Sequence, residues 1–160
     1  MEFTIRPARP EDFQLLPKVE SSADELLKMP GLPEVGSAAD YQAALQTLVA
    51  EADGRIFGLA RIEEVDGEAH LEQLSVLPEA AGQGLGRFLL ETAKAWAGRA
   101  GYREMTLCTF RDVPFNAPFY ASAGFVVLEQ LSAGLAALRK HETELGLDTL
   151  GARVVMAATL

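Results

Sequence analysis

Two Asp-Gly pairs place the strongest local constraint on the fold of this chain. Asp53-Gly54 separates the apolar stretch 48–52 from 55–65, and Asp66-Gly67 separates 55–65 from 68–76. Such pairs favour two-residue hairpin turns, because Asp and Gly tolerate the positive φ angles that these turns require. The sequence therefore predicts three consecutive antiparallel strands.

Hydrophobic periodicity predicts further elements on both sides of these strands. Before them we expect a strand at Phe3–Arg6, a helix from about Pro10 towards Met29 that Pro17 would kink, and a second helix carrying Tyr41, Leu45 and Leu48. After them we expect a helix from Leu85 to Gly101, a strand at 104–110, a short helix ending at Ala123, a strand at 125–131, a surface helix at 133–146 and a last strand at 152–160. The pattern predicts an α+β fold with a mixed sheet.

Composition narrows the class of protein. With 160 residues, of which 49% are hydrophobic, the chain is long enough for one domain with a single core. A formal net charge of −9 argues against a nucleic acid as partner, because such partners require clustered Lys and Arg. The single Cys108, the lack of a signal-peptide pattern and the lack of a membrane-length apolar run predict a cytoplasmic protein that contacts no membrane. No metal site is expected.

A glycine-rich turn between the third of these strands and the following helix predicts an anion site. Gly82, Gly84 and Gly86 alternate just before an amphipathic helix, where free backbone N–H groups and the helix dipole favour a phosphate. A P-loop is excluded because Arg87-Phe88 stand where Lys and Ser or Thr are needed. A dinucleotide fingerprint is excluded because the spacing is G-x-G-x-G and an antiparallel strand precedes it.

Two longer segments carry a family resemblance. "HLEQLSVLPEAAGQGLGRFLLETA" resembles the coenzyme A-binding segment of the GNAT acetyltransferase superfamily, and "NAPFYASAGF" resembles its downstream segment, with a Tyr shortly before Gly-Phe. The order of elements is similar along nearly the whole chain. The resemblance departs from the family at Ala81, where Arg or Gln is common, and at Val113, where an Asn is common.

The resemblance implies one GNAT-like domain over residues 1–160. Its sheet would be central, mixed and mostly antiparallel, with six to seven strands flanked by about four helices and a splay between strands four and five. The implied activity is direct transfer of an acetyl group from acetyl-CoA to the amine of a small molecule or peptide in a ternary complex. The implied cofactor-binding residues are Leu74, Ser75, Val76, Gln83, Gly84, Leu85, Gly86, Arg87 and Asn116.

The chemistry also needs a base for the ammonium and an acid for the leaving thiolate. His70 and Glu72 have the same parity as Leu74 on one predicted strand, so the three share a face. Both are candidate bases, and Glu72 is favoured because it lies nearer the predicted thioester. By its place in the family motif, Tyr120 is the candidate acid.

Two questions stay open at the level of sequence. The resemblance implies that residues 22–40 and 131–150 line the acceptor site, where the acidic residues Asp24, Glu25, Glu34 and Asp40 are expected to attract a cationic amine. The helix at 133–146 either covers that site or supports a homodimer. The alternative function is a non-catalytic acyl-CoA-binding sensor, which would need the glycine turn but not His70, Glu72 or Tyr120.

Overall fold

The computed structural model describes residues 1–160 and contains seven strands and six α-helices. The strands are β1 Thr4–Pro7, β2 Gln46–Ala52, β3 Arg55–Val65, β4 Glu68–Val76, β5 Glu104–Phe110, β6 Val126–Val127 and β7 Arg153–Thr159. The helices are α1 Leu16–Asp24, α2 Ala38–Ala43, α3 Leu85–Arg99, α4 Ala117–Ser122, α5 Ala133–Glu144 and α6 Leu147–Leu150, with short 3-10 helices at Phe13–Leu15, Glu25–Leu27 and Pro78–Ala80. None of the helices is long and apolar enough to span a bilayer.

The strands form one hydrogen-bonded sheet in the order β1-β2-β3-β4-β5-β7-β6. The ladders β1–β2, β2–β3, β5–β7 and β6–β7 are antiparallel. The β4–β5 ladder is parallel and pairs Ala69 with Met105 and His70 with Thr106, at the start of β4. Helix α3 lies in the connection between these two strands. The short parallel ladder confirms the predicted mixed α+β sheet with its splay between strands four and five.

Backbone contacts divide the chain into two compact units. The first comprises residues 1–28, 34–63 and 71–96 and contains β1, β2, α1, α2 and most of β3, β4 and α3. Its core includes Leu16, Val49, Leu59, Ile62, Leu85, Leu89 and Leu90. The second comprises residues 29–33, 64–70 and 97–160, and its core includes Met105, Leu107, Phe125 and Met156.

Both predicted hairpin turns are present. Asp53 and Gly54 have φ angles of 51° and 74°, and Asp66 and Gly67 have φ angles of 52° and 79°. Two successive residues in the left-handed region are typical of a type I′ turn, whose twist matches that of the flanking strands. The Asp-Gly signal therefore locates these turns to the residue.

Three predicted elements were wrong in extent, the predicted kink at Pro17 is absent, and one helix was not predicted. The first helix is shorter than predicted and has 3-10 turns at both ends, and Pro17 occupies its first turn, where proline causes no kink. Leu48 lies in β2 opposite Ala60 rather than in the second helix, which ends at Ala43. The predicted strand at 125–131 is reduced to the ladder pairs of Val126 and Val127 with β7, followed by one bond from Leu128 N–H to Val155 O at 2.8 Å. Helix α6 was not predicted.

Candidate active site

The glycine-rich turn is an exposed loop between β4 and α3 in the first unit. Leu77 closes β4 by donating its backbone N–H to Phe57 O at 2.8 Å, and Pro78–Ala80 form a 3-10 turn. Gly82 and Gly84 then take φ angles of 77° and 79°. A Cβ added to either glycine would meet no atom within 4 Å, so the backbone of this turn faces open space.

Helix α3 begins directly after this turn. The backbone N–H of Phe88 donates to Gly84 O at 3.0 Å, which makes Gly84 the capping residue. The first turn of a helix presents backbone N–H groups without partners inside the helix, at the positive end of the helix dipole. Three of the predicted cofactor-binding residues, Leu85 to Arg87, lie in this first turn, while Gly84 caps it and Gln83 precedes the cap. The arrangement is suited to binding an anion through the main chain.

The position of α3 on the sheet depends on Gly58 of β3. A Cβ at this residue would lie 2.9 Å from Leu89 Cδ1 and 2.9 Å from the carbonyl oxygen of Ser75. The helix contributes fully buried leucines to the core, Leu89 and Leu90. The absence of a side chain at Gly58 therefore allows α3 to pack closely on β3 through Leu89, and no sequence pattern had indicated this.

The second half of β4 carries the remaining predicted residues of the first unit. Gln73 donates its Nε2 hydrogen to Ser75 Oγ at 2.9 Å, which shows that odd-numbered residues of this segment share a face. Glu72, Leu74 and Val76 lie on the other face, where Glu72 is exposed and the two apolar residues are half-buried. The predicted alternation of β4 is thus confirmed here.

His70 lies in the second unit and is 2% exposed. Its Nδ1 is hydrogen-bonded to Thr106 Oγ1 at 2.7 Å. Burial lowers the pKa of His70 to about 4, although the charge of Glu142 opposes this shift. The imidazole is therefore neutral near pH 7 and is a weak proton acceptor.

Tyr120 also lies in the second unit, on α4. Its ring contacts Phe119 and Phe125 edge-on, at centroid distances of 5.2 and 5.8 Å. The hydroxyl is buried although the residue as a whole is half-buried, and this burial raises the pKa of Tyr120 while the charge of Arg153 opposes the rise. The phenol therefore stays protonated at neutral pH and is a hydrogen-bond donor.

Asn116 directly precedes α4. Its carbonyl oxygen accepts the backbone N–H of Tyr120 at 3.0 Å, and its side-chain Oδ1 accepts a hydrogen bond from Thr109 Oγ1 at 2.9 Å. The side chain thus fastens the start of α4 to β5. The structure places Asn116, Tyr120 and His70 in the second unit, and the glycine turn, Leu74–Val76 and Glu72 in the first.

One polar cluster in the first unit centres on Glu20, which was not among the predicted site residues, and includes Asp24, which was expected to attract a cation. The hydroxyl of Tyr41 donates to Glu20 Oε1, which also accepts the backbone N–H of Gly36 at 3.3 Å. Burial and the charge of Glu20 raise the pKa of Asp24, one turn further along α1, to about 6. The signal in the sequence was the spacing of two acidic residues, Glu20 and Asp24, on one helix face.

Asp40 has a structural role. The side chain of Ser37 accepts the backbone N–H of Asp40 at 3.1 Å, and the carboxylate of Asp40 accepts the N–H of Ser37 at 2.9 Å. This reciprocal pair is a capping box at the start of α2.

Comparison with known proteins agrees with this geometry. Residues 16–125, more than half of the chain, match the model of the acetyltransferase (GNAT) family. The structure is similar to the PaiA N-acetyltransferase of Thermoplasma acidophilum in complex with coenzyme A, with a TM-score of 0.72, 19% identity and 100% of both chains covered. It is also similar to the ribosomal-protein-S18-alanine N-acetyltransferase of Escherichia coli, with a TM-score of 0.71, 19% identity and coverage of 99% of this chain and 94% of that one.

A longer protein shares the same fold over part of its length. The N-acetylglutamate synthase of Neisseria gonorrhoeae, complexed with coenzyme A and N-acetyl-glutamate, matches with a TM-score of 0.75 and 16% identity over 100% of this chain and 35% of that chain. At these identities the neighbours establish the fold. Together with the match of the family model, they show that the chain belongs to the GNAT family of acetyltransferases.

Proposed function

We propose that residues 1–160 form one GNAT-like domain, which transfers an acetyl group from acetyl-CoA to an amine in a ternary complex. The observation that carries the proposal is the open turn at Gly82 and Gly84, followed at once by the first turn of α3. The family match and the coenzyme A complexes of two structural neighbours support the same cofactor.

The residues of the turn fit a diphosphate. No side chain stands on Gly82 or Gly84, so an anion can approach the backbone N–H groups from Gln83 to Arg87. The side chain of Leu85 is buried, so this residue would contribute through its backbone alone. Acetyl-CoA, when bound here, supplies the acetyl thioester. The main chain of Leu74–Val76 would pair with its extended arm and present an N–H to the carbonyl oxygen.

We assign the role of base to Glu72. It is exposed on β4 and lies two residues, about 7 Å, from Leu74. His70 is 2% exposed and hydrogen-bonded to Thr106, so its imidazole is less accessible to an acceptor amine than the exposed carboxylate of Glu72. The acceptor amine would lose a proton to the Glu72 carboxylate. The leaving sulfur would take a proton from the hydroxyl of Tyr120.

The acceptor is an amine of a small molecule or peptide. Residues of α1 and the following segment are the proposed acceptor side, and the half-buried carboxylate of Asp24 belongs to it. Its negative charge above about pH 6 would favour an ammonium group. Asp40 is less suited to this role because its carboxylate is held in the capping box of α2.

The test is release of free thiol from acetyl-CoA in the presence of a panel of amines, with acetylated product identified by mass. We expect release that depends on both the amine and the enzyme, and its loss in Gly84→Leu. Gly101→Leu is the matched control, because Gly101 also has a positive φ, of 98°, with no atom within 4 Å of an added Cβ, but lies at the other end of α3. Binding of acetyl-CoA without turnover of any amine would favour the sensor function instead.

A further inference from the structure

Helix α3 carries an exposed aromatic residue beside the glycine turn. Phe88 is 47% exposed, while Leu85, one turn earlier in the helix, and the next residue, Leu89, are buried. Its backbone N–H donates to Gly84 O at 3.0 Å, so the residue stands one helical turn after the capping glycine.

The direction of helical side chains relates this ring to the turn. Side chains on a helix lean towards its N-terminus and cover the turn before their own Cα. For Phe88 that turn begins at Gly84, which has no side chain and open space around it. This general lean directs the ring towards the end of the helix at which the diphosphate is proposed to bind.

The chemistry of the ligand supplies a matching group. In coenzyme A the diphosphate joins the pantetheine arm to an adenosine, so a purine ring must lie within one ribose of the phosphates. An aromatic side chain offers a face on which a base stacks without requiring a hydrogen-bond pattern.

We propose that Phe88 stacks on the adenine ring of bound coenzyme A, so that the first turn of α3 recognises both the diphosphate and the base. This inference rests on the proposed function, because it requires the cofactor at the glycine turn. It adds a residue that recognises the nucleotide end, which the family resemblance did not supply.

The experiment is calorimetric titration of the full chain with coenzyme A, dephospho-coenzyme A and 4′-phosphopantetheine, of which the last lacks the adenosine. Phe88→Ala should weaken binding of the first two ligands by the same factor, about 5-fold to 100-fold, and leave the third unchanged. Phe88→Trp should retain the wild-type affinities because it keeps an aromatic face. Leu15→Ala is the matched control, since Leu15 is an apolar residue with 55% exposure elsewhere in the first unit.

The outcomes separate this inference from the proposed function. Gly84→Leu should weaken the binding of all three ligands, since each retains a phosphate. Unchanged binding in that variant would overturn the cofactor site itself. If Gly84→Leu behaves as expected, an unchanged coenzyme A affinity in Phe88→Ala would overturn the stacking alone. An equal loss for all three ligands in Phe88→Ala would also overturn it, because the ring would then act through the shape of the turn. A change of oligomeric state without a change of affinity would assign Phe88 to an interface and overturn it as well.

Discussion

The carboxylate of Asp66, at the hairpin turn between β3 and β4, accepts the backbone N–H of Gly134 in the first turn of α5 at 2.8 Å. The hydrogen bonds of Ser132 and Gly134 lower the pKa of Asp66. A Cβ at Gly134 would lie 2.7 Å from both carboxylate oxygens. A turn residue thus caps a helix that follows 68 residues later in the chain, within the second unit.

Alanine substitutions at two helical glycines should have opposite effects on stability, because only Gly134 lies against the capping carboxylate. Gly134→Ala should lower the Tm because its methyl group displaces the Asp66 carboxylate. Gly98→Ala, in α3, should raise the stability by about 0.5–1 kcal/mol, because the nearest atom to its Cβ is 3.9 Å away and alanine favours the helix. Thermal unfolding of both variants measures the contrast, and a raised Tm for Gly134→Ala would contradict the cap.

The same cap has a defined pH dependence. The pKa of Asp66 is depressed in the folded state. Its contribution to the free energy of unfolding is therefore present above the ordinary pKa of 3.8 and is lost as the pH falls through the folded pKa. Asp66→Asn should therefore lower the Tm at neutral pH and have no effect once wild-type Asp66 is protonated. A Tm difference that is constant over the whole range would show that the charge is irrelevant.

Gly58 predicts a link between packing and cofactor binding. Gly58→Ala should cost about 1–3 kcal/mol of stability, because its methyl group would overlap Leu89 Cδ1 and the carbonyl of Ser75. Relief of the overlap would displace Leu89 of α3 or the Ser75 carbonyl of β4, both of which support the proposed cofactor site, so the affinity for coenzyme A should fall too. Urea unfolding and titration with coenzyme A measure the two effects. Gly98→Ala, with room for its methyl group, is the control in both measurements.

The ionised carboxylate of Asp24 is expected to lower the free energy of unfolding at neutral pH. Its pKa is raised to about 6 by burial and by the charge of Glu20, so the folded state holds this proton more tightly than the unfolded chain. Stability is lost as pH rises from 3.8 through about 6, and the full penalty is present above that. The shift corresponds to about 3 kcal/mol if fully buried, which partial exposure reduces to roughly 1 kcal/mol.

Asp24→Asn should accordingly raise the Tm at about pH 7.5 and leave it unchanged at about pH 3, where wild-type Asp24 is protonated in both the folded and the unfolded state. If Asp24 also contacts the acceptor, the same variant should raise the KM for a cationic amine without changing the affinity for coenzyme A. Asp53→Asn, at an exposed hairpin turn, provides the comparison for a carboxylate outside this region. A Tm gain that is equal at both pH values would contradict the burial of Asp24.

Residues whose conformation is decided by their neighbours in the chain were predictable. The Asp-Gly turns, the alternation at Gln73 and Ser75, and the glycines before α3 follow from local backbone preferences. The bond between Asp66 and Gly134 and the approach of Gly58 to Leu89 depend on elements distant in sequence, so no local pattern contains them. The predicted strand at 125–131 begins with apolar residues, but its hydrogen bonds to β7 end at Leu128, before Glu129 and Gln130. Residue spacing placed His70 and Glu72 on one strand without showing that His70 is 2% exposed.

The two candidate bases predict different kinetic phenotypes. Glu72→Gln should lower kcat by about 10²-fold to 10⁴-fold with little change in the KM for acetyl-CoA, since it removes only the proton acceptor. His70→Gln keeps a side chain able to bond Thr106 and should retain most of the activity. Steady-state kinetics of both variants decide the assignment. The reverse pattern, with a large loss in His70→Gln alone, would move the role of base to His70.

Tyr120→Phe should lower kcat by about 10²-fold while leaving the Kd for coenzyme A within a factor of about three. The phenylalanine ring keeps the contacts with Phe119 and Phe125, so the fold of α4 is preserved and only the hydroxyl is lost. Tyr102→Phe is the matched control: it also removes one hydroxyl, which donates to Glu64 Oε1 at 2.7 Å on the surface of the same unit. Because the buried phenol of Tyr120 stays protonated, the activity that depends on it should show no alkaline loss near pH 10, the ordinary pKa of tyrosine. A wild-type kcat in Tyr120→Phe would assign proton donation to another group and leave Tyr120 as a packing residue between two aromatic rings.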